Sequence, residues 1–380
     1  MDICSKENRD KILEKFKEID YKSGLILIDY IINDNYDEDF IKNIIISLSK
    51  NKNKNTYEIY EYIIKNTKID YDTIIIYKIN YDILHLKFIH ICSLNNNINL
   101  LNYLINKGIN IDESISRETP LMIVSKYAND ESSIDTIKLL LENGANPNSQ
   151  NIYGNTPLIF SVHYNENKSL IIEIVNLLLK YGANPNLGDN NNEPPLFVAS
   201  MSSMYTYEIP LMMELIKLLL KKGANIDYQN MGGNTALMEA CENSFSADSH
   251  DPIKLLIENG SNVNLQNYDG QTALMKICEY ANNKLSFETV KILLDNGAEP
   301  NLKDNDGRTA LMYVFLQEDR SDLNTCSFEI VELLIEHGAD PSIKNDDGDD
   351  SIDALITSLD LNGPIIEIIK LLLEKKDSKN

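Results

Sequence analysis

The 380-residue chain is poor in positive charge. It has 35 Lys and Arg against 58 Asp and Glu, a formal net charge of −23. A surface this acidic does not suit a phosphate backbone, because counterion release needs clustered Lys and Arg. A basic protein partner suits it better, and the charge also keeps a long surface soluble. No apolar run reaches the roughly 18 residues of a membrane helix, and the longest candidate, SGLILIDYII, is interrupted at Asp29. The opening MDICSKENRDKILEK is polar and charged, unlike a secretory signal. Five cysteines, Cys4, Cys92, Cys241, Cys278 and Cys326, form no C-x-x-C pair, and their number is odd. A reducing, cytoplasmic setting is the expectation.

Catalytic signatures are missing as well. No Gly-rich loop ends in Gly-Lys-Ser/Thr, and neither G-x-G-x-x-G nor H-E-x-x-H occurs. NDDGDDSID looks like a calcium loop, but placing Gly348 at loop position six puts Ile343 first and Ala354 twelfth, and neither ligates. His85, His163 and His250 are isolated in sequence. The expectation is no catalysis, no cofactor and no metal.

What the chain does have is a recurring phrase. QNMGGNTALMEA, QNYDGQTALMKI and KDNDGRTALMYV begin at Gln229, Gln266 and Lys303. Two landmarks recur, a Thr and a later Gly. The Thr slot holds Thr119, Thr156, Pro194, Thr235, Thr272, Thr309 and Asp350; the Gly is Gly108, Gly144, Gly182, Gly223, Gly260, Gly297 and Gly338. From Gly to the next Thr slot the distance is 11 once and 12 six times, whereas from Thr slot to its own Gly it is 25, 26, 29, 25, 25 and 29. Only the Thr-to-Gly half admits insertions.

Thr followed by Pro or Ala and apolar residues is a capped helix start. Runs such as TIKLLLENG and IVELLIEHG are second helices ending at a Gly that adopts a left-handed backbone, with Pro147, Pro185, Pro300 and Pro341 three residues beyond. Gly154, Gly233, Gly270, Gly307 and Gly348, two residues before the Thr slot, mark hairpin-like turns.

NTPLIFSV, ETPLMIVS, NTALMEAC and LLIEHGADPS resemble the ankyrin repeat, and the resemblance covers at least Lys87 to Gly338. It implies an all-α solenoid of helix–turn–helix units joined by hairpin-like turns, here with lengthened inter-helix connectors. The array is read as 86–380, with units near 87–117, 118–153, 154–191, 192–232, 233–269, 270–306 and 307–347, and 348–380 as a C-terminal cap. Residues 1–85 are read as a helical N-terminal cap or degenerate repeats. The unit from Lys87 to Gly108 has a Thr-slot-to-Gly distance of 21, so the next six carry 4, 5, 8, 4, 4 and 8 extra residues. These near-integral helical turns are expected to lengthen the first helix by about one turn before a loop. The family's histidine survives only as His90; Met122, Ile159, Phe197, Met238, Met275 and Met312 fill the slot elsewhere, so its polar link is expected to give way to apolar packing. Cys241 and Cys278 share a register in adjacent units, where the resemblance implies buried small residues.

Functionally, the resemblance implies a monomeric, non-catalytic scaffold that binds a protein, not nucleic acid or membrane, through turn tips and first helices. Candidate contact residues are Tyr153, Asn192, Met231, Tyr268, Gln271, Asp306, Arg308 and Asp347. Lys138, Lys217 and Lys291, on the second helices, are expected to play no part. An alternative is an adaptor that recruits a host ubiquitin ligase through residues 1–85. The Asn-, Ile- and Lys-rich wording also resembles ankyrin proteins of amoeba-infecting giant DNA viruses, which would place the chain in a host cytoplasm.

Overall fold

The computed structural model describes residues 6–33, 38–51, 56–67, 69–70, 73–79, 82–115, 117–163, 169–201, 209–243, 250–279, 284–315, 325–356 and 368–374. The chain divides into two compact units, Met1–Asn184 and Pro185–Asn380.

The first unit holds α1 (Lys6–Phe16), α2 (Tyr21–Asn33), α3 (Glu38–Ser49), α4 (Thr56–Asn66), the strands β1 (Ile75–Ile79) and β2 (Asp82–Leu86), then α5 (Phe88–Leu94), α6 (Ile98–Asn106), α7 (Pro120–Tyr127), α8 (Glu131–Glu142), α9 (Pro157–His163) and α10 (Ile171–Lys180). Odd-numbered helices pack on odd and even on even, α1 on α3, α3 on α5, α5 on α7, with α2, α4, α6, α8 and α10 forming the other row. Helices α1 to α4 therefore stack with the same alternation as the later pairs. The reading of residues 1–85 as wholly helical needs one correction. Strands β1 and β2 pair antiparallel, with Ile75 opposite Leu86 and Ile79 opposite Asp82. The Ile- and Tyr-rich run TIIIYKINYDILHL is β-branched and aromatic, which favours a pleated surface over a helix.

Buried asparagines tie this unit together. Asn51 donates through Nδ2 to the carbonyls of Phe16 and Ile19, at 3.1 and 3.0 Å. Asn97 donates to those of Ser49 and Asn51, at 3.1 and 2.8 Å, and its Oδ1 caps α6 by accepting from the Leu100 amide. Asn96, at φ +53°, reaches the side chains of Asp130 and Ser133.

The second unit holds α11 (Pro195–Met201), α12 (Ile209–Lys221), α13 (Ala236–Asn243), α14 (Asp251–Glu258), α15 (Ala273–Cys278), α16 (Lys284–Asp295), α17 (Ala310–Tyr313), α18 (Thr325–Glu336) and α19 (Ser351–Ile356). It repeats the two-row alternation, with α11, α13, α15, α17 and α19 in one row and α12, α14, α16 and α18 in the other. First helices are short and enclosed. In α11 every residue from Pro195 to Ser200 is buried.

Capping follows the sequence. The hydroxyls of Thr119, Thr156, Thr235 and Thr272 accept the backbone N–H three residues on, at 3.1 to 3.3 Å. In the slot of Asp350, its carboxylate accepts from the Ile352 and Asp353 amides while Asp353 returns the contact to the Asp350 amide. The methionines that replace the family's histidine are not merely apolar fillers. The Thr119 and Thr272 amides donate to the sulfurs of Met122 and Met275, each at 3.4 Å, so a weak polar link persists where its loss was expected.

In the unit from Thr119 to Gly144 the added residues go mainly to the second helix, a correction to the expected lengthening of the first. Both helices and the connector are described in the unit from Thr119 to Gly144. Compared with the unit from Lys87 to Gly108, its first helix has 8 residues against 7, its second 12 against 9, and the connector is unchanged at three residues, which accounts for all four extra. The physical reason lies in YANDESS. Asp130 accepts the Ser133 amide at 3.1 Å and Glu131 lies in the first turn, the chemistry of a helix beginning. Helices α12, α16 and α18 are also long, at 13, 12 and 12 residues, whereas α10 and α14 have 10 and 8, so the insertions are not placed alike in every unit. Most of HYNENKS and SFSADSHD lies outside the described residues.

Candidate functional site

The turns are built on one plan, clearest when counted back from the Thr slot. Five residues before it stands Asn or Asp. Its Oδ1 accepts the amides two and four residues on, as in Asn230 (Gly232 at 2.9 Å, Asn234 at 3.0 Å), Asn267 (3.0 and 2.8 Å) and Asp304 (3.0 and 2.7 Å). Two residues before the slot stands Gly at φ near +78° in Gly233, Gly270 and Gly307.

Successive turns of the second unit are joined by backbone rungs. The Met231 amide donates to the Asn191 carbonyl (2.9 Å), Tyr268 to Gly232 (3.0 Å), Asn305 to Asp269 (2.9 Å) and Asp346 to Asp306 (3.0 Å). Such an approach leaves no room for a side chain on the glycine between. A Cβ on Gly233 would lie 2.6 Å from the Tyr268 nitrogen, and one on Gly270 2.7 Å from the Asn305 nitrogen. At Gly348, the last turn, the same Cβ would meet nothing within 4 Å.

Two further positions brace the edge. Six residues before the slot, Gln229 and Gln266 donate to the backbone of the next turn, at the Gln266 and Lys303 carbonyls (2.9 and 2.8 Å). Lys303 does the same to Lys344 at 2.7 Å. One residue before the slot, Glu193 accepts from Asn230 (3.4 Å) and Asn234 from Asn267 (2.8 Å). Asp304 cannot donate as those asparagines do. Instead the Tyr313 hydroxyl donates to its Oδ2 at 2.7 Å and accepts from Gln271 at 2.9 Å. Burial and this carboxylate push the Tyr313 phenol up to about 12.

At the opposite end of four units an asparagine four residues past the helix-ending Gly clasps the next unit. Asn264 donates to the Gly297 carbonyl (2.9 Å) and accepts the Glu299 amide (2.8 Å); Asn301 does so with Gly338 (2.8 Å) and Asp340 (2.7 Å). Asn148 in the first unit and Asn186 in the second repeat the pattern. Asp112 and Asp227 hold the same place and accept from the Asn146 and Asn262 amides, both at 3.0 Å. The signal was in GANPN and GSNVN, but only the geometry gives the last letter its role.

The eight candidate residues fall at four different places on this plan. Met231 and Tyr268, four before the slot, are 67 % and 64 % exposed. Tyr153, Asp306 and Asp347, three before it, are exposed too. Arg308 pairs with Asp306 at 2.9 Å. Asn192 takes the glycine place at φ +62°, donates to the Gln229 carbonyl and accepts from the Tyr228 hydroxyl. Gln271 is half-buried on Tyr313. Sequence reasoning passed over Ile152, Asp269 and Asp346, exposed residues at the same two outward places. Counting back from the Thr finds them.

Glutamates stand at two of the second unit's first helices, Glu193 just before α11 and Glu239 on α13. Burial, then the carboxylate of Asp189, raise the pKa of Glu193, and burial raises that of Glu239. Lys276 pairs with Glu242 at 3.0 Å. In the first unit His90 is fully buried, and burial lowers its pKa to about 4, so the neutral ring donates from Nε2 to the Glu118 carbonyl at 3.2 Å. Cys92, Cys241 and Cys278 are buried thiols, in no disulfide, whose ionisation burial opposes. Among the described residues no group of His, Cys, Asp and Glu could hold a metal ion, and no helix is long and apolar enough to cross a membrane.

The family described as "Ankyrin repeats (3 copies)" matches residues 27–151, 88–189, 121–209, 166–267 and 244–345. The chain belongs to the ankyrin repeat family. Among solved structures, it is similar to the ankyrin repeat domain of Bcl-3, described as a unique member of the IkappaB protein family, at 22 % identity and a TM-score of 0.51, over 67 % of this chain and 98 % of that one. That likeness is one of fold. An ankyrin repeat domain from Acinetobacter baumannii AYE is 27 % identical over 58 % of this chain and 98 % of its own, with a TM-score of 0.46. The ankyrin repeat protein EF0377 is 28 % identical over 53 % and 92 %, with a TM-score of 0.43. No curated protein matches. The ankyrin match begins at residue 27, inside the helices that precede the hairpin.

Proposed function

We propose that this ankyrin repeat protein is a non-catalytic scaffold that holds a protein partner along its turn tips and first helices. Ankyrin repeats in general mediate protein–protein interaction. One observation carries the reading here. The places three and four before the Thr slot differ from turn to turn in chemistry, while the backbone beneath them is fixed by rungs of 2.9 to 3.0 Å. A rigid edge with varied, exposed side chains is suited to selective binding. The second helices lack that property, because their apolar residues are enclosed by neighbours. Helices α1 to α4 cap the array on this reading.

A photo-crosslinking amino acid at Tyr268, compared with one at the exposed Lys291 on α16, tests the assignment. Crosslinked partner protein is expected from position 268 and not from 291. Labelling from 291 alone would move the binding face to the second helices, and labelling from neither would end the scaffold reading for this unit.

A further inference from the structure

The turn edge of the second unit is graded. At one end Met231 stands beside Gly232, which has no side chain, and the Tyr268 ring lies against Gly233, where a Cβ would be 2.7 Å from its Cδ1. Both large side chains are about two-thirds exposed, so two successive turns each present a large apolar side chain outward. From Asp269 onward the edge becomes acidic through Asp306, Asp346, Asp347 and Asp349, all exposed. Three cations stand on the same edge, and all are engaged. Lys303 donates to the Lys344 carbonyl, Lys344 to the Gly348 carbonyl at 2.9 Å, and Arg308 pairs with Asp306. Five carboxylates therefore face three cations.

We propose that this edge docks an extended polypeptide segment of a basic protein. The segment's apolar side chains cover Met231 and Tyr268, and its Lys or Arg side chains run along Asp306, Asp346, Asp347 and Asp349. This rests on the scaffold reading above and gives it a partner chemistry. These two side chains are exposed apolar surface on backbone that cannot retract, because the Tyr268 and Asn305 amides are pinned to the preceding turns. Charge complementarity fixes the sense in which the segment lies. Its length follows from packing. Neighbouring helices stand about 8–10 Å apart, so four turns span roughly 30 Å, which is about nine residues of extended chain at ~3.3 Å each. Nucleic acid does not fit the same edge, because its phosphates would meet carboxylates.

The test is selection of a random 12-residue peptide library on the full chain, with counter-selection on an M231S/Y268S variant. Enriched peptides should carry Leu, Ile, Phe or Tyr toward one end and Lys or Arg toward the other. Fluorescence anisotropy of an enriched peptide should show binding at least tenfold weaker to M231S/Y268S. Binding to D346N/D347N/D349N should be at least fivefold weaker, with a shallower dependence on salt. K138A/K291A should bind as the parent does. All substituted residues are exposed, and unchanged thermal melts would confirm that the variants fold. Enrichment of acidic peptides, no enrichment, or binding untouched by both edge variants would overturn the proposal. If enriched peptides crosslink elsewhere on the chain, this docking edge is wrong while the scaffold reading stands.

Discussion

Gly270 and Gly260 separate two costs that a repeat glycine can carry. Both have left-handed backbone, at φ +78° and +92°. Alanine at either position bears the strain of that conformation, about 1 kcal/mol. Around Gly260 a new Cβ meets nothing within 4 Å. At Gly270 it would lie 2.7 Å from the Asn305 nitrogen, and 2.8 Å from both the Asn305 Oδ1 and the Asp304 Cα. Ordinary contact needs some 0.7 Å more, and the atoms in the way are mostly backbone. Moving them breaks the Asn305 rung to Asp269 (2.9 Å) and strains the Asn305 side-chain bond to the Tyr268 carbonyl (2.7 Å). At about 0.5–1.5 kcal/mol net for each hydrogen bond, Gly270→Ala should cost roughly 3 kcal/mol and Gly260→Ala roughly 1 kcal/mol. Urea unfolding of the full chain measures both. Because repeat arrays can unfold in parts, hydrogen exchange at Tyr268 and Asn305 should accompany it, and only Gly270→Ala should speed exchange there. Equal costs would mean that the close approach of the turns adds nothing to stability.

Three further outcomes follow from named contacts. Asn264→Asp sets a carboxylate oxygen against the Gly297 carbonyl in place of an N–H donor and should cost about 1–2 kcal/mol, while Asp227→Asn supplies the missing donor and should raise the urea midpoint. Asn97→Ala leaves two buried carbonyls without their donor and removes the α6 cap, so thermal melts should register a loss of about 2–4 kcal/mol. His90 has its pKa lowered to about 4 from 6.5, so the unfolded chain binds the extra proton first, and stability present above pH 6.5 is lost as pH falls toward 4, by about 2–3 kcal/mol. His90→Met, which installs the residue that neighbouring units use, should flatten that part of the acid titration; an unchanged titration would place the sensitivity elsewhere.

The helix pairs were legible because their boundaries are chemical. Thr caps and left-handed Gly have local physics that a sequence displays, and all seven helix-ending glycines, Gly108 to Gly338, have positive φ. Where an insertion goes is less visible. Four residues fit either helix by length, and the decision rests on Asp130, whose capping contact with Ser133 starts α8 early. The hairpin of 75–86 was hidden because a short Ile-rich run fits strand or buried helix equally by periodicity. The methionine sulfur contacts were hidden because a thioether reads as apolar until an amide is seen pointing at it. The candidate edge was half legible. Exposed Tyr, Met and acidic residues were picked out, yet Asn192 and Gln271 were chosen beside them although their side chains hold neighbouring turns.

That mixture has a physical explanation which also says how such an edge can diversify. Within Q-N-Y-D-G-Q-T the places at six, five and two before the Thr slot have structural duties in the second unit, as a donor to the next turn, an Asx acceptor and a glycine under a rung, and at one before it Glu193, Asn234 and Gln271 link to the following unit. Substitution there needs a matching change. When Asn gives way to Asp304, Tyr313 supplies the lost hydrogen. Apart from Asn305, whose side chain also donates to the Tyr268 carbonyl, the places at four and three join neighbouring turns through backbone, which every residue but proline supplies in full. Their side chains can therefore run from Met231 and Gly232 through Tyr268 and Asp269 to Asp346 and Asp347 without altering the spacing of the turns. At the places four and three before the slot the backbone carries the rung and the side chain is presented outward, so recognition and assembly use different atoms of the same turn.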